Sequence, residues 1–255
     1  MDTYTLVVSN PPHEKEVDAP RAAPCFGLTA ADVLMKAKYV APEIWVMSTV
    51  RSKMEDAART LREAGLNVMV IEGKDLANIP APARVKSFSF TDTYLLASVE
   101  DFEVGRLYDA PIIAVFCKAP EGSPADLTQP TGSAVLDIYG SRKGELLRIS
   151  FVQEVVNFSD LGDVKLPTAE GNMLKFVWEC ERRFTKAQFD RRLVDVRLRR
   201  SLIVDTAARP HQQQQRKGFS YATTALATLL ESISPGLRNI SQFELGSRLA
   251  YLTKQ

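Results

Sequence analysis

The feature that most constrains this chain is a change of hydrophobic period at Pro80-Ala81-Pro82. Before it, apolar residues recur at helical spacing between short β-branched runs; after it, they alternate through one short run after another. A segment patterned at 3.6 residues per turn does not settle as a strand, nor an alternating one as a helix. The prolines fix backbone angles and remove donors, so they punctuate the chain as a linker. The expectation is an α+β chain with a module over residues 1–80, a second over 83–195, and a linker with a helical tail over 196–255. A length of 255 residues suits two cores better than one.

In the first module, Thr5 to Ser9 reads as a strand stopped by Asn10-Pro11-Pro12. Thr29 stands three residues before Asp32 in a capping-box spacing, and Val33, Leu34, Ala37 and Val40 give the following helix an apolar stripe. Ile44 to Met47 is a second strand candidate. A further helix is expected with Ser52 at its N-cap and Glu55 at N3, apolar at Met54, Ala57, Ala58, Leu61 and Ala64, and ended by Gly65. Leu66 to Ile71 completes the module as a strand.

The runs LTAADVLMKAKYV and SKMEDAARTLREAGLNVMVIEG, about residues 28–72, resemble the small α/β sandwich of the ribosomal stalk protein's C-terminal domain and of the protease adaptor that shares its fold. Those families bind partners through an exposed helix face, which the resemblance places at Lys53, Asp56, Arg59, Arg62 and Glu63. Mixed signs at i, i+3 and i+4 also describe a solvated helix face.

Beyond the linker, short β runs are expected at 85–90, 94–98, 102–107, 111–117, 134–139, 145–151 and 155–158, separated by turn signals. Gly140 to Gly144 brings glycine and lysine together, but the GxxxxGK[ST] order is absent and the flanks alternate as a hairpin does. Pro167 and Thr168 open a helix with Met173, Phe176, Val177 and Cys180 on one face. Thr185 with Gln188 offers a second capping-box start leading to Phe189 and Leu193. Antiparallel strands followed by one amphipathic helix, with DFEVGRLYDAPIIAVFC and FVQEVVNFSDLG, resemble bacterial pleckstrin-homology-like domains over residues 85–193. That resemblance implies a barrel closed by a C-terminal helix and used for binding. Its lipid-binding members cluster basic residues in the first strand-loop-strand, where this chain has only Arg84 and Lys86 before Arg106.

The one strong charge asymmetry is Arg182, Arg183, Lys186, Arg191, Arg192, Arg197, Arg199 and Arg200 against Asp190 and Asp195. It reads either as a patch for nucleic acid or an acidic partner, or as arginines on the solvated side of a strand that alternates with Val194, Val196 and Leu198. No aromatic residue interleaves from Arg191 to Arg200 as a stacking platform would require. Residues 209–217 read as a flexible polar linker. Two amphipathic helices, about 221–233 and 241–252, must then dock on a module or on another chain, the second route being oligomerisation.

Thirty-two basic residues against 31 acidic ones leave a net charge of +1, too little for a global field that attracts nucleic acid or a membrane. Met1 to Asn10 lacks the order of a signal peptide, and no apolar run approaches the roughly 18–20 residues of a membrane span. Cytoplasm is the expected location. Cys25, Cys117 and Cys180 fit neither a disulfide framework nor a paired metal motif, and His13 and His211 are the only histidines. No cofactor or metal is expected, and no catalytic residue stands out. The expectation is a non-catalytic interaction or regulatory protein, adaptor- or scaffold-like, with a protein partner. The alternatives are nucleic-acid or acidic-partner association through residues 182–200, and an enzyme whose site assembles carboxylates such as Asp101, Glu103 and Asp160.

Overall fold

The computed structural model describes residues 3–9, 17–100, 102–118, 134–194, 203–204 and 242–255. It is a mixed α+β structure with two sheets and several helices. By its internal contacts the chain divides into two units, Met1–Asn78 with Leu198–Ile240, and Ile79–Arg197 with Ser241–Gln255.

The first unit is built around β1 (Tyr4–Val8), which pairs antiparallel with β2 (Glu43–Ser48) on one side and β3 (Val68–Glu72) on the other. A two-residue strand, Ile203–Val204, adds parallel to β2. Helices α1 (Ala19–Ala22), α2 (Ala30–Ala37) and α3 (Arg51–Glu63) lie between these strands in sequence, and a short α4 (Gly73–Asn78) follows β3. Thr29 and Asp32 make the capping box that their spacing predicts, each side chain accepting from the other's backbone N–H. Met54, Ala58 and Leu61 of α3 pack with Leu6, Val8, Trp45 and Val68 in one apolar core. Gly65 takes the left-handed backbone that ends α3.

The second unit holds a seven-stranded sheet: β4 (Ala83–Phe90), β5 (Tyr94–Val99), β6 (Phe102–Leu107), β7 (Ile112–Lys118), β8 (Ala134–Arg142), β9 (Glu145–Val152) and β10 (Ala187–Val194). Its order is β10-β7-β8-β9-β4-β5-β6. Two antiparallel meanders, β4-β5-β6 and β7-β8-β9, join through a parallel β4/β9 pair, and β10 runs parallel to β7. The β8–β9 hairpin turns at Lys143 and Gly144, both at positive φ (54° and 86°), as a tight two-residue hairpin requires. Helix α5 (Ala169–Arg183) starts at Thr168, whose hydroxyl accepts from Gly171 N. It packs Met173, Phe176, Val177 and Cys180 onto the inner residues of β7, β8 and β9. The opposite face of the same strands carries Asp137, Tyr139 and Arg148, and the last helix, α6 (Gln242–Leu252), bonds to them.

Several local expectations are corrected. Helix α3 begins at Arg51 with Val50 at its N-cap; Ser48, not Ser52, supplies a local oxygen, accepting from Val50 N as the chain leaves β2. Residues 155–158 are not a strand: Val155 and Val156 both donate back to Val152 O in a turn, and Asn157 alone bridges to Ser87. The capping pattern at Thr185 and Gln188 opens no helix, because Ala187 to Val194 takes the edge of β7 as β10 and gains a ladder of backbone bonds there. No closed barrel forms among the described residues, since no backbone pairing joins β6 to β10. The helix expected over 221–233 lies outside the described residues.

Candidate interaction surface

Of the basic residues that stand out in the sequence, Arg182 and Arg183 fall on the end of α5 and Arg191 and Arg192 on β10, and a carboxylate meets each of these four. Arg182 donates Nε and Nη2 to Glu179 (3.2 and 2.8 Å), and Arg183 reaches the same carboxylate at 3.3 Å. Burial raises the Glu179 pKa, but the hydrogen bonds and charges of Arg182 and Arg183 outweigh it and hold the carboxyl below its usual range. Arg191 grips Glu181 with Nε and Nη2 at 2.7 and 2.6 Å, and Arg192 grips the buried Asp190 in the same two-pronged way. Lys186 is exposed. Arg197, Arg199 and Arg200 lie outside the described residues.

On α3, Arg59 pairs with Asp56 at 2.7 Å, both two-thirds exposed, and Arg62 donates to Val68 O; Lys53 is exposed on the same helix. Glu103 accepts from Ser98 and Asp160 from Phe90 N, on different elements with no common partner. Asp101 lies outside the described residues. Among the described residues, no group of His, Cys, Asp and Glu is placed to hold a metal ion, and no helix is long and apolar enough to cross a membrane.

What the sequence reading did not single out is the outer face of α5. Leu174 and Trp178 stand one turn apart there, with Trp178 48% exposed, and Val164 and Leu166 are exposed just before the helix. Lys175 lies over the Trp178 ring at 4.1 Å and Arg182 at 5.8 Å. The inner face of α5 consumes Met173, Phe176, Val177 and Cys180, so helical spacing leaves 174, 178 and 182 as one outward line. A large aromatic left half in water beside other apolar side chains, rimmed by cations, is the composition of a binding surface. The signal was present in the sequence as one tryptophan out of phase with the core stripe.

The densest polar assembly is buried. Arg148, 2% exposed, donates to Asp137 at 2.7 Å and to Glu244 at 3.4 Å. Ser247 donates to the same Asp137 oxygen at 2.5 Å and accepts from the Tyr139 hydroxyl at 2.8 Å. Arg248 of α6 reaches Glu244 and Ile79 O, and Tyr251 stacks on Tyr139 with centroids 4.4 Å apart. Burial lowers the Arg148 pKa, but Asp137, Tyr139 and Glu244 outweigh it and hold it above the ordinary arginine value. Burial also pushes the Tyr139 hydroxyl, and the Cys117 and Cys180 thiols, well up. The hydroxyl, carboxylate and guanidinium sit in a solvent-excluded layer between sheet and helix, where they hold α6 in place.

A second arginine is buried differently. Arg106 of β6, 6% exposed, donates Nη1 to Ser141 O at 2.6 Å, and its Nε and Nη2 have no acceptor among the described residues. Burial, together with the nearby charge of Arg142, lowers its pKa. No family model matches this chain, and neither the curated proteins nor the solved structures hold a match to it.

Proposed function

We propose that this chain is a non-catalytic interaction protein that binds a partner protein through the outer face of α5. The observation that carries the reading is Trp178, half exposed between Lys175 and Arg182 with Leu174 one turn away. Exposed aromatics with adjacent long cations supply large contact area at low ordering cost and concentrate binding energy at interfaces. The adaptor-like reading of the first unit rests on its strand, helix and strand order around β1. The barrel-like reading of the second unit is supported by the reach of Arg106 from β6 to Ser141 of β8. The neutralising carboxylates at Glu179, Glu181 and Asp190 favour a protein partner over nucleic acid, because arginines already paired release few counterions on meeting phosphates.

The test is affinity capture from the source cell with the full chain, with Trp178→Glu, and with Leu34→Glu as a control for another exposed apolar position. The reading expects a partner retained by the wild type and Leu34→Glu and lost with Trp178→Glu. The same set of proteins on all three would refute it.

A further inference from the structure

Arginine presents two donor edges, and the pair Nε and Nη2 forms a fork that matches the two oxygens of a carboxylate or phosphate. This chain uses that fork repeatedly. Arg191 closes it on the two oxygens of Glu181 and Arg192 on those of Asp190, and Arg182 directs both nitrogens to one oxygen of Glu179. Arg106 differs: its third nitrogen, Nη1, is spent on Ser141 O, while both fork nitrogens are buried and meet no acceptor among the described residues; the buried Arg148 also leaves Nε without an acceptor, but its Nη1 and Nη2 meet Glu244 and Asp137. A buried guanidinium with two unmet donors is costly, and native structures keep such a group for a reason.

The surroundings define what would fit. The guanidinium lies against the backbone of Gly140, where a Cβ would come within 3.4 Å of its Cζ and 3.3 Å of Ile112 Cγ2. The residues that follow Gly140 are Ser141, Arg142 and Lys143, the last at positive φ in the β8–β9 turn. Arg142 is exposed, its guanidinium 5.4 Å from the Phe102 ring centroid, and Lys143 is exposed; neither forms an ion pair among the described residues. Arg106, Arg142 and the turn residue Lys143 thus lie where β6 meets the β8–β9 hairpin; Glu145 stands across from Arg142 in the β8–β9 register, but none of the three cations forms an ion pair among the described residues, whereas the arginines of α5 and β10 each do.

We propose that Arg106, Arg142 and Lys143 form a binding site for a phosphate dianion, inorganic or as the monoester of a small soluble molecule. The Arg106 fork receives two phosphate oxygens, and Arg142 and Lys143 balance the second charge, which a single carboxylate ligand would leave unmatched. The site differs from a phosphate loop in relying on side chains rather than on a helix N-terminus. It requires a small lateral opening at the Arg142 side chain for entry. Gly140 is a positioning residue, since its missing Cβ leaves the space in which the guanidinium lies against the strand.

The experiment is a ³¹P NMR titration of the full chain with inorganic phosphate and with glycerol phosphate, at constant ionic strength set by chloride, with acetate as the carboxylate probe. The proposal expects saturable binding of both phosphates at one equivalent. It expects about tenfold weaker binding in Arg106→Lys, which keeps the charge and loses the fork, and a similar loss in Arg142→Gln. Arg142 is exposed, so its variant tests the site even where Arg106→Lys perturbs folding. Acetate should bind at least about tenfold more weakly than phosphate. Absence of saturable phosphate binding in the wild type would overturn the proposal, as would equal affinity in all three proteins. Acetate binding as tightly as phosphate would also overturn it, because it would assign the fork to a carboxylate.

Discussion

Arg148 and Arg106 are two arginines of the second unit, buried to nearly the same degree, 2% and 6% exposed, and served in opposite ways. Arg148 meets two carboxylates, Asp137 on the neighbouring strand and Glu244 on α6, so its charge is used to bind one piece of the chain to another. Arg106 meets one backbone carbonyl and a like charge nearby. Buried charge sorts by its partners: a guanidinium that meets carboxylates of its own chain, as Arg148 does through Nη1 and Nη2 although its Nε has no acceptor, is cohesion, and one that meets none, as Arg106, is capacity to bind.

The largest effect that would break this comparison lies at Arg148. Arg148→Ala strands Asp137 in the layer under α6, and urea unfolding should show a loss of about 3–5 kcal/mol. The double change Arg148→Met with Asp137→Leu removes both charges and should recover most of that loss, since an apolar pair of similar volume replaces a desolvated one. Arg106→Met, measured without added anion, should change stability by less than about 1 kcal/mol, because one hydrogen bond is lost and no carboxylate is orphaned. A loss as large as that at Arg148 would mean the chain itself pairs Arg106.

A smaller effect sharpens the same contrast through pH. Burial and the neighbouring Asp137 raise the folded pKa of Tyr139 far above the tyrosine value of about 10 in the unfolded chain. A raised folded pKa gives a contribution present in full below about pH 10 and lost as pH rises above it. Tyr139→Phe lacks this term, so its stability relative to the wild type should improve between about pH 10 and 11, read by urea titration at each pH. Smallest of all, Trp178→Ala should shift stability by no more than about 0.5 kcal/mol, since its ring is half in water, while it weakens partner capture.

How far this was legible in the sequence depends on whether the deciding contact is local. The capping box at Thr29 and Asp32, the cap at Thr168 and the turn at Lys143-Gly144 depend on neighbours within a few residues, and each forms as its spacing indicates. Thr185 and Gln188 carry the same kind of local signal, but the edge of β7, some seventy residues earlier, captures the segment as a strand. The buried network was invisible as a network because its members are distant: Asp137 and Ser247 are 110 residues apart. It did leave a trace, a lone acid in Leu136-Asp137-Ile138 and a lone base in Leu147-Arg148-Ile149, opposite charges set into apolar runs on two strands that pair. In that register Asp137 faces Ser150 and Arg148 faces Tyr139, which puts the two charges on a diagonal of one sheet face. The unmet fork of Arg106 had no such trace, because an arginine in an alternating strand reads as a solvent-facing residue until the rolled sheet encloses it.

The most direct test of the contrast observes both guanidinium groups in one sample. The arginine side-chain ¹⁵Nε–H resonances of the full chain, assigned by the Arg106→Lys and Arg148→Lys variants, are followed as inorganic phosphate is added at constant ionic strength. The Arg106 Nε–H resonance should move saturably as its fork takes the anion while that of Arg148 stays fixed. An Arg106 resonance that does not move, or one that moves no more than Arg148, would contradict it.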